Sequence, residues 1–445
     1  MKIFIFILLF CINSCKDKIP PKNKRESVFS HESNLFLNKE LQSIKNVYLN
    51  NTTQEYTTKY DSNSSNYIYN GNFKVLNSYS IGDGDFSYLN LDNVFLKYND
   101  NIVILDNNGD IWLFNGKKKK KIFILKNKQN FIFANLTLYN NNIIYSGSNG
   151  YLASINLQNN KINWERQNAK YSFYAGFEIE NNIGYGISKN NNLYAINLEN
   201  GDEIWMNIVQ SKLNIDIGSS EKLINSTRVK IYQNLVIFVS KDGNATFLNK
   251  SNGLEYFSFK LDQGINLSNT IGKTMLSFDS NLFSPAIIDN MLFIGSMNGP
   301  FGVIELNYGK MLDSKSIGVN SAIINSKNFI YFISNNSELV CIHVGSGQIK
   351  WSFKLENFYT HVLPKYLSDG KGYNKMKLNW RGPIFINDDI MLVSPFGKAI
   401  LIDVNSGKIT KEIKIPECVF NAPLVFNKDE IYLYSSCFNT LYLLK

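Results

Sequence analysis

The chain has 445 residues, 44% of them hydrophobic and 19% charged, a balance that excludes a wholly disordered protein. Its three histidines and five cysteines are too few for a multi-histidine metal centre or a disulfide framework. Of the net charge of +9, Lys117–Lys121 contribute five and the segment 16–25 contributes four, so the rest of the chain is nearly balanced. The positive charge is therefore not distributed as on a nucleic-acid-binding surface.

The N-terminus has the features of an export signal. The apolar run Ile3–Ile12 follows a lysine; it is too short to span a bilayer and suits a signal peptide. The run ends in Asn13-Ser14-Cys15, which resembles a bacterial lipobox, whose cysteine is acylated and becomes the mature N-terminus. We expect residues 1–14 to be a lipoprotein signal peptide and Cys15 to carry palmitate. A plain secretory signal with an incidental cysteine is the alternative.

Residues 15–67 form a second region, which is basic and Pro-containing at first and then rich in Asn, Ser and Thr. Such a composition has little apolar surface to bury and predicts a flexible lipidated tether. No other apolar stretch approaches the ~20 residues that a membrane-spanning helix needs, so the lipid is expected to be the membrane attachment.

From about residue 100 onward one pattern recurs. A strand-like run ends in a Gly or Asn turn, a second strand follows, and a second turn ending in Gly precedes a strand that often carries Trp. The clearest copies are Tyr151–Leu157 leading to Trp164, Leu193–Gly201 leading to Trp205, and Leu339–Gly347 leading to Trp351.

Eight first turns mark the copies, and their mean spacing is about 47 residues. Apolar and polar residues alternate in each copy, which is the signature of strands and hairpins, and sustained helical spacing is missing. Four antiparallel strands per copy at this period predict an all-β, eight-bladed β-propeller. The markers are Gly109, Gly150, Asn192, Gly243, Gly299, Ser337, Gly397 and Asn439.

The eighth copy is incomplete, because it stops at Lys445 after a single strand beyond its first turn. A ring with an unfinished last blade needs a strand from elsewhere to remove its open edges. We expect residues 73–82 to supply that strand. Residues 68–445 are then a single propeller domain.

The segment Leu193–Trp205 resembles the repeat of pyrroloquinoline-quinone-type (PQQ-type) propellers nearly position by position. In that superfamily an aromatic residue four positions after the second turn docks neighbouring blades. The resemblance therefore implies a structural role for the aromatic residues at this position, which are Trp164, Trp205, Phe257 and Trp351.

Length, lipobox and blade number resemble one branch of this superfamily, the BamB family of outer-membrane β-barrel assembly lipoproteins. The segments Tyr79–Gly84 and Trp380–Ile384 also resemble it. The resemblance implies a non-catalytic scaffold on the periplasmic face of the outer membrane that assists folding and insertion of outer-membrane proteins. Its implied partner is the periplasmic part of the central barrel subunit, and it implies no cofactor, no metal and no nucleic acid.

Two other functions stay open. A PQQ-dependent quinoprotein dehydrogenase shares the fold, but that group carries an adjacent Cys–Cys disulfide and a Ca²⁺ site, for which this sequence offers no adjacent cysteines and no acidic cluster. A surface-tethered binder that takes a sugar or peptide in the central funnel is the third hypothesis.

Several further features are candidates for a site. Cys418 and Cys437 both belong to the eighth blade and can form a disulfide in an exported protein. The run Lys117–Lys121 is expected to be a solvated hairpin tip. In the BamB family a loop with Leu and Arg side chains contacts the partner; the aligned stretch 220–228 departs from that arrangement, and its candidate contacts are Lys222 and Leu223. Three insertions are the variable surfaces, at 209–229, 261–281 and 356–380.

Overall fold

A computed structural model describes residues 66–84, 95–126, 128, 134–173, 175–188, 192–208, 229–239, 244–260, 285–295, 301–307, 310–315, 317–326, 328–359, 377–378 and 380–445. Within these ranges the chain forms β-strands and no helix. Eight sheets, each with four antiparallel strands, follow one another as blades, which confirms the prediction of an all-β, eight-bladed propeller. No helix in these ranges has the length and apolarity that crossing a membrane requires.

The N-terminal strands and the first four blades have the following bounds. The two N-terminal strands are β1 (Asn66–Tyr67) and β2 (Val75–Ser80). Blade 1 contains β3 (Phe95–Tyr98), β4 (Asn101–Leu105), β5 (Ile111–Phe114) and β6 (Lys119–Phe123). Blade 2 contains β7 (Ala134–Tyr139), β8 (Asn142–Gly147), β9 (Tyr151–Asn156) and β10 (Ile162–Gln167). Blade 3 contains β11 (Glu178–Glu180), β12 (Ile183–Ile187), β13 (Asn192–Asn197) and β14 (Glu203–Ile208). Blade 4 contains β15 (Lys230–Tyr232), β16 (Leu235–Val239), β17 (Asn244–Asn249) and β18 (Glu255–Lys260).

The last four blades continue the same order. Blade 5 contains β19 (Ala286–Ile288), β20 (Met291–Gly295), β21 (Phe301–Glu305) and β22 (Lys310–Lys315). Blade 6 contains β23 (Ile324–Ser326), β24 (Phe329–Ile333), β25 (Glu338–His343) and β26 (Ile349–Lys354). A separate ribbon pairs β27 (Phe358–Tyr359) with β28 (Lys377–Leu378). Blade 7 contains β29 (Arg381–Ile386), β30 (Asp389–Ser394), β31 (Lys398–Asp403) and β32 (Ile409–Lys414). Blade 8 contains β33 (Leu424–Asn427), β34 (Glu430–Ser435) and β35 (Thr440–Leu444).

The core lies between consecutive blades rather than within any one of them. The second and third strands are apolar on both faces, because each blade is covered on both sides by its neighbours. In β8, for example, the consecutive residues Ile143, Ile144 and Tyr145 are all buried. One hydrophobic cluster joins blades 1 and 2, and comparable clusters join blades 2 and 3, 3 and 4, 4 and 5, 7 and 8, and 8 and 1.

The fourth strand of each blade lies on the perimeter and is mostly exposed, as in β10, β14 and β32. In blades 2, 3, 4 and 6 its pairing with the third strand shifts by one residue immediately before the docking aromatic. A bulge of this kind increases local twist and redirects a side chain. The same shift occurs in blades 5 and 7, where Asp313 and Lys411 occupy this position, so it belongs to the blade fold and does not require an aromatic residue.

Strand β2 and the C-terminal strand β35 meet in blade 8. Strand β2 pairs antiparallel with β35, so that Tyr79 lies opposite Leu441 and the blade has the order β33, β34, β35, β2. At the inner edge, β3 of blade 1 contacts β33 of blade 8. Strand β1 pairs in parallel with the end of β29, where Asn66 lies opposite Phe385 and Tyr67 opposite Ile386.

Candidate interaction site

The docking tryptophans join one blade to the turn of the next. In blade 2 the indole Nε1 of Trp164 donates a hydrogen bond to the Leu198 carbonyl at 2.8 Å. Its ring covers Gly201, where a Cβ atom would lie 2.5 Å from Trp164 Cε3. The same arrangement joins Trp205 to Lys250 and Gly253, and Trp351 to Val404 and Gly407.

Phe257 occupies the equivalent position in blade 4 without an indole donor. Its ring stacks on Phe247 with 4.2 Å between centroids. It packs against the cluster that joins blades 4 and 5, to which Leu306 belongs. The three tryptophans thus contact the following blade through their indole N–H groups, and Phe257 packs against the cluster shared by blades 4 and 5.

A buried carboxylate anchors the segment that links the closing strand to blade 1. The Asp106 side chain is 1% exposed and accepts hydrogen bonds from the backbone N–H groups of Asp83, Asn108 and Asp110 at 2.9–3.0 Å. The Trp112 indole donates a further bond at 2.8 Å. Burial raises the pKa of Asp106 although these donors act to lower it.

Two asparagines extend this network from blade 1 to blade 8. Asn107 Nδ2 donates to Asn439 Oδ1 at 3.0 Å and to the Ser436 carbonyl at 3.0 Å. Asn439 Nδ2 in turn donates to the Gly84 carbonyl at 2.9 Å. The Tyr434 hydroxyl lies 3.1 Å from Asn439 Oδ1. The turns of the first and last blades are therefore held together by side chains from both.

The basic run Lys117–Lys121 is exposed at its first four lysines, and Lys121 alone is partly buried. Only its first two lysines lie in the turn, and the other three begin the perimeter strand β6. The ammonium of Lys121 lies 2.8 Å from Asp83 and 3.0 Å from Asp110, and it also sits over the Trp112 ring. This lysine therefore holds the closing segment against blade 1, because two carboxylates neutralise its charge.

A groove of about 660 Å³ lies between the perimeter strand of blade 7 and the start of β2. Phe73, Val75 and Ile413 contribute to its lining. The ammonium of Lys411 sits 4.8 Å from the centre of the Phe73 ring and donates to the Asn72 carbonyl at 3.3 Å. Lys411 thus holds the segment that precedes β2 against blade 7.

The cysteines divide between a disulfide and a buried thiol. Cys418 and Cys437 form a disulfide that joins the start of blade 8 to the turn after β34. Cys341 is fully buried between Tyr331 and Trp351 on adjacent strands, and burial raises its pKa to about 12. A thiol with a raised pKa is a poor nucleophile at neutral pH.

Several predicted site residues lie outside the described residues. They are the lipidation candidate Cys15 and the two candidate partner contacts, Lys222 and Leu223. Of the three insertions, 209–229 and 261–281 lie outside almost entirely, whereas 356–380 contributes the β27–β28 ribbon. Their predicted roles stay predictions.

The residues that the structure describes do not fit a PQQ site of the dehydrogenase kind. The disulfide joins residues 19 positions apart instead of adjacent cysteines, and it lies at blade 8. The docking tryptophans donate their indole N–H groups to backbone carbonyls of neighbouring blades. Within the described ranges no group of three or more His, Cys, Asp and Glu residues is arranged to hold a metal.

The perimeter strands are the part of the propeller that is available for recognition. Each has one edge paired with the third strand of its blade, and the other edge faces outward. They differ in the side chains they expose: β6, β26 and β32 carry several lysines, whereas β14 exposes Ile204, Met206 and Ile208. Sequence periodicity alone does not show that β14 exposes these residues, because its apolar pattern is also that of a buried strand.

Comparison with known proteins supports the resemblance noted from the repeats. Residues 216–353 match the family model described as outer membrane protein assembly factor BamB. The outer membrane protein assembly factor BamB of Moranella endobia (strain PCIT) is 20% identical over 153 residues, 34% of this chain. The match spans 34% of that protein, about a third of its length. The predicted resemblance to the BamB branch of the PQQ-repeat propellers is thereby confirmed.

Solved structures share the fold at low sequence identity. BamB from Moraxella catarrhalis matches with a TM-score of 0.61 and 11% identity, covering 84% of this chain and 99% of that chain. The computationally designed Ika8 protein matches with a TM-score of 0.54 and 11% identity, covering 86% and 99%. Sqt1 of Saccharomyces cerevisiae matches with a TM-score of 0.51 and 13% identity, covering 86% and 98%. At such identities the likeness establishes the propeller fold alone.

Proposed function

We propose that this chain is a non-catalytic scaffold lipoprotein of the outer-membrane β-barrel protein assembly machinery. Anchored by lipid at Cys15, it acts on the periplasmic face of the outer membrane and assists the folding and insertion of outer-membrane proteins. Its partner is the central barrel subunit, through that subunit's periplasmic domains.

One observation carries this proposal: residues 216–353 match the model of an assembly-factor family, and the curated relative that matches bears the same description. The fold is consistent with this, since a propeller offers a rigid ring whose loops and perimeter strands can bind other proteins. The buried carboxylate of Asp106 also serves the structure, because it accepts hydrogen bonds from Asp83 and Trp112.

Crosslinking followed by affinity purification tests the proposal. The tagged full chain, expressed in its own host or in a host that lacks its own BamB, is crosslinked in cells and purified from membranes. We expect the central barrel subunit to copurify, and we expect Cys15→Ala to release the chain from the membrane fraction. Recovery of the chain from outer membranes without that subunit would contradict the proposal.

The quinoprotein dehydrogenase alternative is tested on the same preparation. Dye reduction is measured after the full chain is incubated with PQQ and Ca²⁺, with alcohols and sugars as substrates. A scaffold gives no turnover above the rate of a heat-unfolded sample. Turnover that requires both PQQ and Ca²⁺ would replace the scaffold proposal with an enzymatic one.

A further inference from the structure

One edge of β14, the perimeter strand of blade 3, pairs with no strand within the described ranges. Its other edge pairs antiparallel with β13. In an antiparallel pair half of the backbone N–H and C=O groups of an outer strand point away from the sheet. Such an edge is a template for an additional strand unless side chains prevent the approach.

The side chains of β14 do not provide the usual protection. Ile204, Met206 and Ile208 are 47%, 42% and 66% exposed, and the strand contains no Lys, Arg or Pro. Natural edge strands are commonly guarded by lysine, proline or an inward charge. The other perimeter strand without Lys or Arg, β2, exposes mainly Asn and Ser after its first two residues.

Blade 6 supplies an internal comparison, because β26 has the same local construction as β14. Trp351 and Trp205 occupy the same register, each after a one-residue shift in pairing and each covering a glycine of the next blade. The three positions equivalent to the exposed apolar residues of β14 differ completely. They are Lys350, Ser352 and Lys354 in β26, and Asn163, Glu165 and Gln167 in β10 of blade 2.

The described surroundings of β14 extend its apolar character, and the charged residue of the strand has an ion-pair partner. Asn207 donates to the Gly253 carbonyl at 2.7 Å, and the next residue along that turn, Leu254, is 65% exposed. Glu203, the charged residue of β14, pairs with Lys170 at 2.7 Å. The edge is therefore electrically neutral, with apolar side chains both on the strand and on the adjoining turn.

We propose that this edge of β14 binds an extended polypeptide segment by adding it as a fifth strand to blade 3. Backbone hydrogen bonds supply the attraction, and uncharged apolar side chains at every second position of the segment pack on Met206 and Ile208. A neutral edge selects a neutral segment, because a charged side chain placed there loses hydration without gaining a partner.

A strand of an unfolded outer-membrane barrel has the required pattern, since apolar and polar residues alternate along it. The identification of that strand as the biological ligand rests on the proposed function. Binding at the edge itself does not, because the geometry of β14 and its comparison with β26 stand without it.

Peptide binding to the full chain in mild detergent tests the proposal. The probe is a fluorescein-labelled peptide of alternating Val and Thr, compared with a peptide of the same composition in which the valines are grouped. Fluorescence anisotropy measures both affinities. We expect the alternating peptide to bind more tightly, and we expect the triple variant Ile204→Lys, Met206→Ser, Ile208→Lys to weaken its binding about tenfold or more, or ~1.4 kcal/mol.

A matched control introduces the same residues elsewhere. The variant Asn163→Lys, Glu165→Ser, Gln167→Lys changes blade 2 at equivalent positions and should leave affinity for the alternating peptide unchanged. Both variants should fold, because β26 carries Lys, Ser and Lys at these positions in the native chain; circular dichroism checks this. Equal affinity of the blade 3 variant and the unmodified chain overturns the proposal.

Two further measurements test whether a second copy of the chain occupies the edge and whether the edge proposal and the proposed function can fail separately. If the unmodified chain sediments as a dimer and the blade 3 variant as a monomer, the edge serves self-association and the proposal is overturned. The crosslinking purification is repeated with both variants. If the blade 3 variant loses peptide binding while the barrel subunit still copurifies with it, the edge is supported and the proposed function is left intact. If the unmodified chain binds the peptide but no barrel subunit copurifies with it, the edge is supported and the proposed function is refuted.

Discussion

Substitution of Gly201 by alanine tests whether the tryptophan–glycine contacts hold the blades together. Gly201 lies in the turn before β14, has a φ of +78°, and is covered by the Trp164 ring. Gly116 offers a matched control, since it lies in the equivalent turn of blade 1 with a φ of +80° and has no atom within 4 Å of a Cβ position. The two positions share a positive φ of nearly the same size and differ in the tryptophan.

The expected losses follow from this difference. Alanine in the left-handed region costs about 1–2 kcal/mol at either position. Forcing a Cβ against a packed ring adds about 1–3 kcal/mol at Gly201 alone. For a propeller of this size the unfolding entropy is about 0.8 kcal/mol/K, so we expect Gly116→Ala to lower the Tm by about 1–3 °C and Gly201→Ala by about 3–6 °C.

Thermal unfolding of both variants, followed by circular dichroism, provides the measurement. A double-mutant cycle with Trp164→Leu isolates the contact, because the extra loss at Gly201 should disappear once the ring is removed. Equal Tm losses for the two glycine variants, or an extra loss that persists without Trp164, would refute the assignment of Trp164 as a docking residue.

Three further changes probe the closure of the ring. The double variant Cys418→Ser, Cys437→Ser should lower the free energy of unfolding by about 3 kcal/mol, which is the loop-closure value for cysteines 19 residues apart. Urea titration measures this loss, and a reductant should no longer change the free energy of unfolding of the variant. Asp106→Ala leaves the Trp112 indole and buried backbone N–H groups without their acceptor, so we expect a loss of about 3 kcal/mol or more in the same titration. Deletion of Val75–Ser80 exposes the edge of the last strand and should abolish cooperative unfolding; a variant that unfolds with an unchanged midpoint and slope would contradict the closing role of β2.

The fold could be predicted because every blade repeats the same local chemistry. Turn residues at a regular spacing, such as Gly150 and Gly397, adopt a positive φ in the structure, and the strands between them follow the alternation of the sequence. The pairing of β2 with β35 likewise follows from counting strands, since the eighth copy lacks its last one. Repetition turns a weak signal in one copy into a strong one over eight.

The contacts that close the ring could not be predicted in the same way. Asp106 and Asn439 each stand at a turn, where Asp and Asn are common for local reasons. The long-range partner of Asp106 is Asp83, and that of Asn439 is Asn107. Both contacts depend on the first and last blades meeting in space. No periodicity encodes that meeting, because it occurs once. The ion pairs of Lys121 could not be predicted either, because its two carboxylate partners come from outside its own strand.

Repeats also provide a way to separate the demands of folding from those of binding. Blades 3 and 6 use the same tryptophan, the same shift in pairing and the same glycine contact, so β14 and β26 meet equal structural requirements. Since Lys350 and Lys354 satisfy those requirements in β26, the isoleucines at the equivalent positions of β14 are not needed to build a blade. Exposed apolar residues at an open edge carry a cost in aggregation. The three exposed apolar residues at alternating positions of β14 are therefore explained by what that edge is proposed to bind and not by how the propeller folds.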